Sequence, residues 1–210
     1  MKLKILANKA LNFGVSRVIE IFGMAILIAG ILLLVSLISF SPDDPSFIFP
    51  NNTEIENVLG FRGSFTADIF FQSFGMIALL IPVSFIVTGI NIIINKKIFL
   101  IIESIFYTIL YSIFGSLLFS FFYPVAFELY INGNGGFIGS YLKDTFLNSI
   151  ISINSKISYY ILALLILILF LISIQFKVNS FYKIIKKIFK FLFFKKEKNY
   201  TNENEVINEF

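Results

Sequence analysis

Cysteine and histidine are both missing from this 210-residue chain, and tryptophan is missing too. Without cysteine there is no disulfide, no thiol nucleophile and no thiolate metal ligand. Without histidine the commonest zinc and haem ligand is gone, and so is the side chain that exchanges protons near neutral pH. No metal or organic cofactor is expected, and no catalytic residue. Charge is scarce as well: 14% of residues are Asp, Glu, Lys or Arg, against about 25% in soluble domains. No Gly-x-x-x-x-Gly-Lys-Ser/Thr loop occurs in the sequence, so it holds no P-loop phosphate cradle. What remains is apolar. Hydrophobic residues make up 57% of the chain and mean hydropathy is +0.87, which makes lipid the solvent of most side chains.

Four stretches reach the roughly 20 apolar residues that cross a bilayer: about 18–40, 67–94, 99–123 and 157–176. The first reads as a span rather than a secretory signal. It exceeds the roughly 7–15 residues of a signal core, and Ser39-Phe40-Ser41-Pro42 offers no small-residue cleavage pattern. Lys and Arg set the orientation. Fourteen of the seventeen basic residues lie before the first span, between the second and third, or after the fourth; Arg62, Lys143 and Lys156 lie in the other connections. An even number of spans then places both termini in the cytoplasm and the connections near 41–66 and 124–156 outside. The net charge of +4 follows from this asymmetry and suits an anionic leaflet.

The expected class is an all-α membrane protein with four transmembrane helices and both termini cytoplasmic. Residues 1–176 form the membrane domain. Residues 137–153 carry helix-like apolar spacing and are expected to form a short outer-face helix, lying on the leaflet or dipping into it. Residues 177–197 form a basic amphipathic juxtamembrane segment, and 198–210 begin a polar, disordered linker. In the juxtamembrane segment Lys183, Lys186, Lys187 and Lys190 oppose an apolar face of Phe181, Ile184, Ile188 and Leu192. Each such lysine near an anionic surface contributes about 1 kcal/mol. A solvated charge run and attraction to duplex DNA are weaker alternatives, and no direct nucleic-acid site is expected.

Between helices in lipid, small residues and hydroxyls dominate packing. Thr108, Ser112, Ser116 and Ser120 recur every four residues beside Gly115, which places them on one face of the third span. The second span carries Gly75 and Ala78, then Ser84 and Thr88, and the first carries Ala25 and Ala29, with Gly23 and Gly30 seven apart. Pro82 lies inside the second span and is expected to kink it. No span carries a charge near its middle; Glu20 and Glu103 lie toward the cytoplasmic ends and Asp68 toward the outer end. A packed bundle accounts for these residues. A small four-helix transporter or channel is the alternative, and it lacks the intramembrane charges that mark such proteins. A membrane enzyme would have only Asp43, Asp44 and Asp68 to work with.

The outward connections use particular residues. Pro42 and Pro45 stop the first helix, and Asp43 and Asp44 suit turns. Gly60 and Gly63 permit backbone shapes that other residues resist. Asp68 is expected to cap the start of the second helix. Asn132-Gly133-Asn134-Gly135-Gly136 reads as a turn, with Gly139 following. Tyr123, Tyr130, Tyr141, Tyr159 and Tyr160 are placed near the interface, as belt aromatics are. Each of these polar and glycine residues is explained by turn chemistry; the sharper reading makes Pro42, Asp43, Asp44, Pro45, Gly60, Gly63, Asp68, Gly135, Gly136 and Gly139 a surface for an extracytoplasmic partner.

Several segments together resemble the N-terminal four-helix membrane domain of the FtsK/SpoIIIE DNA translocases. They are Leu37-Ile38-Ser39-Phe40-Ser41-Pro42-Asp43-Asp44-Pro45-Ser46, Asn57-Val58-Leu59-Gly60-Phe61-Arg62-Gly63 and Ala67-Asp68-Ile69-Phe70-Phe71-Gln72-Ser73-Phe74-Gly75, with Ile81-Pro82-Val83 and Gly135-Gly136-Phe137-Ile138-Gly139. The resemblance implies an inner-membrane anchor at the bacterial division septum, acting in cell division and chromosome partition. It also implies other septal membrane proteins as partners, a cytoplasmic translocase motor that is covalently attached in the family, and self-association as a homo-oligomer. The motor's Walker motifs and winged-helix domain do not occur among these residues, so ATP hydrolysis is not expected of them.

Overall fold

Lipid offers a backbone no water to bond with, so a spanning segment satisfies its amides internally as helix. The computed structural model follows that rule. It describes residues 2–45, 54–124 and 132–176, and among them no strand occurs. The tail lysines Lys183, Lys186, Lys187 and Lys190, the linker and Tyr130 lie outside the described residues.

Among the described residues seven α-helices form: α1 (Lys2–Ile38), α2 (Gly60–Phe74), α3 (Leu80–Asn95), α4 (Leu100–Phe122), α5 (Gly136–Lys143), α6 (Leu147–Ile153) and α7 (Ser155–Ser173). Among the described residues four stretches are long and apolar enough to cross a membrane: Leu11–Ile38, Gly60–Asn95, Leu100–Phe122 and Ser155–Ser173. The four-helix expectation therefore holds, with three differences. Helical backbone in α1 continues back to Lys2, because no proline interrupts it. The second span is α2 and α3 joined by a 3₁₀ segment, Gly75–Leu79. The outer-face helix expected over 137–153 is two helices, α5 and α6. Thr145 separates them: its hydroxyl donates to Leu142 O at 2.6 Å and accepts from Leu147 N at 3.3 Å.

α1 packs on α2 and α3, α3 on α4, and α4 on α7, with α3 also touching α7; among the described residues α1 meets neither α4 nor α7. Two apolar clusters follow. Leu33, Leu37, Ala67, Phe71, Ala78 and Ile81 join α1 to the second span. Ile77, Tyr111, Leu117, Leu162 and Ile166 join it to α4 and α7. The α1–α3 crossing is close because both sides are glycine: a Cβ on Gly89 would lie 2.7 Å from Leu27 N and 2.8 Å from Gly23 O. Outward-facing Ile21, Ile28, Ile102, Ile109, Ile161 and Leu164 stay exposed, as expected of side chains whose solvent is lipid.

Candidate functional site

At the end of the bundle away from the termini, the first connection closes into a knot. Ser41 O accepts from Asp44 N at 3.3 Å, turning the chain after the proline. The Asp44 carboxylate then accepts from Glu56 N at 2.7 Å and from Asn57 N at 2.9 Å. Asn57 in turn donates through Nδ2 to Ser36 O at 2.9 Å and Ser39 O at 3.1 Å, two carbonyls that the ending helix leaves unpaired. Ser36 Oγ donates to Gly63 O at 2.6 Å, and Ser64 Oγ to Pro45 O at 2.9 Å. Val58 N donates to Ser39 Oγ at 3.2 Å. Asp44, Pro45, Asn57, Gly63 and Ser64 are buried, whereas Pro42, Asp43, Val58, Phe61 and Arg62 are exposed. The described residues of the connection thus include a buried set that ties α1 to α2 and an exposed set that faces away.

Asp68 does not cap a helix start. α2 begins eight residues earlier, after Asn57 O accepts from Gly60 N at 2.8 Å. Asp68 therefore lies in the third turn, buried at 5% exposure, with Gln72 Nε2 at 3.4 Å from its Oδ1.

The second connection docks into the break of the second span. Gly75 has φ 69° and ψ −149°, a conformation that glycine alone adopts readily. The helix cannot continue through it. Two backbone groups set free there find partners on neighbouring elements: Met76 N donates to Asn134 O at 2.9 Å, and Phe74 O accepts from Ser116 Oγ at 2.8 Å. Glycines make the approach close. A Cβ on Gly136 would lie 2.5 Å from Gly75 N, one on Gly139 2.7 Å from Ser116 C, and one on Gly135 2.5 Å from Ser116 O. α5 thus dips against α4 and α2. The kink expected at Pro82 forms instead at Gly75–Leu79. Pro82 occupies the first turn of α3, where its missing N–H removes no bond. Asn134 Nδ2 caps Tyr123 O at 2.6 Å; its Oδ1, like Ser112 Oγ, is buried with no hydrogen-bond partner.

Along the bundle, the polar face of α4 pairs off. Ser84 and Tyr111 hydroxyls meet at 3.0 Å, Thr88 Oγ1 donates to Ser104 Oγ at 2.6 Å, and Thr108 and Ser173 hydroxyls meet at 2.9 Å. Ser112, Ser116 and Ser120 are all buried, and so are Gly75, beside the Phe74 carbonyl that Ser116 bonds, and Ala78, which packs with Leu33 and Leu37 of α1. Sequence reasoning singled out Thr108 on this face and Ser84 and Thr88 on the second span, but not Ser104 and Tyr111 of α4 or Ser173 of α7, to which they bond. Asn57 and Asn134 were also missed as capping residues; Asn134 stands between Gly133 and Gly135, a local signal for such a role, whereas Asn57 has Glu56 and Val58 beside it and carries none. At the terminal end, Glu20 pairs with Arg17 and, at 2.9 Å, with Lys96. Among the described residues no three Asp, Glu, His or Cys side chains gather as a metal site. The arrangement braces helices and presents two loops.

Residues 16–187 match the family model described as the 4TM region of DNA translocase FtsK/SpoIIIE. Two curated relatives, each named DNA translocase FtsK, are similar over a shorter stretch. The one from Rickettsia typhi is 36% identical over 64 residues, and the one from Rickettsia bellii 38% over 64 residues. Each alignment covers 30% of this chain but only 9% and 8% of the respective relative. No solved structure matches the chain. With most of its length inside the family match and four spans in the fold, the chain belongs to the family of the 4TM region of DNA translocase FtsK/SpoIIIE.

Proposed function

We propose that this chain is the membrane anchor and interaction module of an FtsK-like DNA translocase, working in the bacterial inner membrane at the division septum in cell division and chromosome segregation. The observation that supports this most is the use of polar groups. In the bundle interior, Ser84, Thr88, Ser104, Thr108, Tyr111 and Ser173 bond to one another. Interhelical pairs of this kind fix helices, which is the work of an anchor. Away from the termini, Pro42, Asp43, Val58 and Arg62 are exposed beside Asp44 and Asn57, whose buried side chains bond the connection to α1. Exposed residues on so anchored a turn suit an extracytoplasmic partner among the septal membrane proteins. On the terminal side the partner is the translocase motor, and self-association places several anchors around it.

The test is localisation. A fluorescent fusion of the chain concentrates at septa, and Pro42→Ala with Asp43→Ala lowers septal enrichment several-fold without changing the melting temperature of the purified chain. Even distribution around cells with assembled septa would overturn the proposal.

A further inference from the structure

A groove of about 510 Å³ runs along the outward side of α1, lined by Arg17, Glu20, Ile21, Met24, Ala25 and Ile28, with Ile93 of α3 beside it. From Arg17 to Ile28 it spans eleven residues, or about 16 Å at 1.5 Å per residue. That is about half of the ~30 Å hydrocarbon core. Its polarity is one-sided. The charges stand at one end, where α1 meets the turn after α3, and everything beyond Glu20 is apolar. At that end Glu20 is shared between Arg17 and Lys96, so two cations face one carboxylate and a positive charge is left over. Both cations stay open: side-chain exposure is 55% for Arg17 and 44% for Lys96. Ala25 leaves room in the floor of the groove, where its neighbours are long.

We propose that this groove binds one anionic diacyl phospholipid of the leaflet on the terminal side. The phosphate sits between Arg17 and Lys96, and an acyl chain lies along Ile21, Met24, Ala25 and Ile28. The dimensions favour lipid over a partner helix, because a transmembrane helix needs a seat through both leaflets and this one ends at mid-membrane. Charge complementarity selects an anionic headgroup. The proposal does not depend on the septal role.

The full chain is delipidated in detergent and titrated with phosphatidylglycerol or phosphatidylcholine, and bound lipid is counted by native mass spectrometry. Phosphatidylglycerol is retained preferentially. Removing one rim cation, by Arg17→Gln or Lys96→Gln, weakens its binding about fivefold. Glu20→Gln frees both cations and tightens binding about fivefold; loss of a merely structural ion pair would not do so. Ala25→Trp fills the groove and abolishes the preference, while a photoreactive acyl chain on phosphatidylglycerol labels Met24 or Ile28 in the unmodified protein. Equal retention of the two lipids, an unchanged affinity in Glu20→Gln, or labelling of a second copy of the chain in place of the groove would each overturn the proposal.

Discussion

Gly60 and Gly75 both have positive φ, at 64° and 69°, yet the two carry different burdens. Around Gly60 a Cβ would meet nothing within 4 Å, so Gly60→Ala is left with the left-handed backbone strain alone, about 1–2 kcal/mol. At Gly75 a Cβ would also stand 2.6 Å from Asn134 C, against backbone that cannot yield. Gly75→Ala is expected to lose at least about 3 kcal/mol and to release the second connection from the bundle. Thermal melting in detergent separates the two variants. Limited proteolysis then cuts near Asn134 only in Gly75→Ala. The contrast explains what local reading sees and misses. Pro82 is the louder sequence signal for a kink, but a proline in a first turn disturbs nothing. The break is placed by Asn134 and Gly136, some 60 residues along the chain, and no window around Gly75 contains them. Asp68 was misplaced for a similar reason: the helix start is set by the Asn57–Gly60 turn, which precedes the apolar run.

At the scale of elements, the hydroxyl face of α4 was legible because its period of four residues is the period of a helix. Which hydroxyl meets which was not, since pairing depends on which helices become neighbours. α3 and α7 both pack on α4, so Thr88 reaches Ser104 and Ser173 reaches Thr108. Thr88→Ala and Ser104→Ala are each expected to destabilise the fold, and the double variant by less than their sum. The coupling should be about 0.6 kcal/mol, the average for such pairs in membranes, with about 1.7 kcal/mol as a ceiling. A double-mutant cycle on melting in detergent measures it. A coupling of zero would mean that the 2.6 Å contact is not made in solution. The bonds are thus individually small; the close α1–α3 crossing at Gly23 and Gly89 contributes by packing rather than by polar contact.

At the scale of the whole molecule, the missing cysteines of the sequence become useful. A chain without cysteine gives a silent background for single-cysteine topology mapping. Four spans put Lys9 and Lys97 at one end of the bundle and Val58 and Tyr141 at the other, and all four side chains are exposed. Basic residues crowd the terminal end, and the translocation of short loops disfavours Lys and Arg. Cysteines at Val58 and Tyr141 should therefore react with a membrane-impermeant maleimide in intact spheroplasts. Cysteines at Lys9 and Lys97 should react only after permeabilisation. Tyr141 is the demanding position. α5 dips against α4 beside Ser116 and Ser120, yet the Tyr141 side chain is 64% exposed. If its outward face lies in water, labelling is as fast as at Val58. If that face is covered by lipid, labelling slows at least tenfold while the sidedness stays the same. Equal labelling of all four positions in intact spheroplasts would contradict the four-span arrangement itself, because no packing of these helices brings Lys97 and Val58 to one surface.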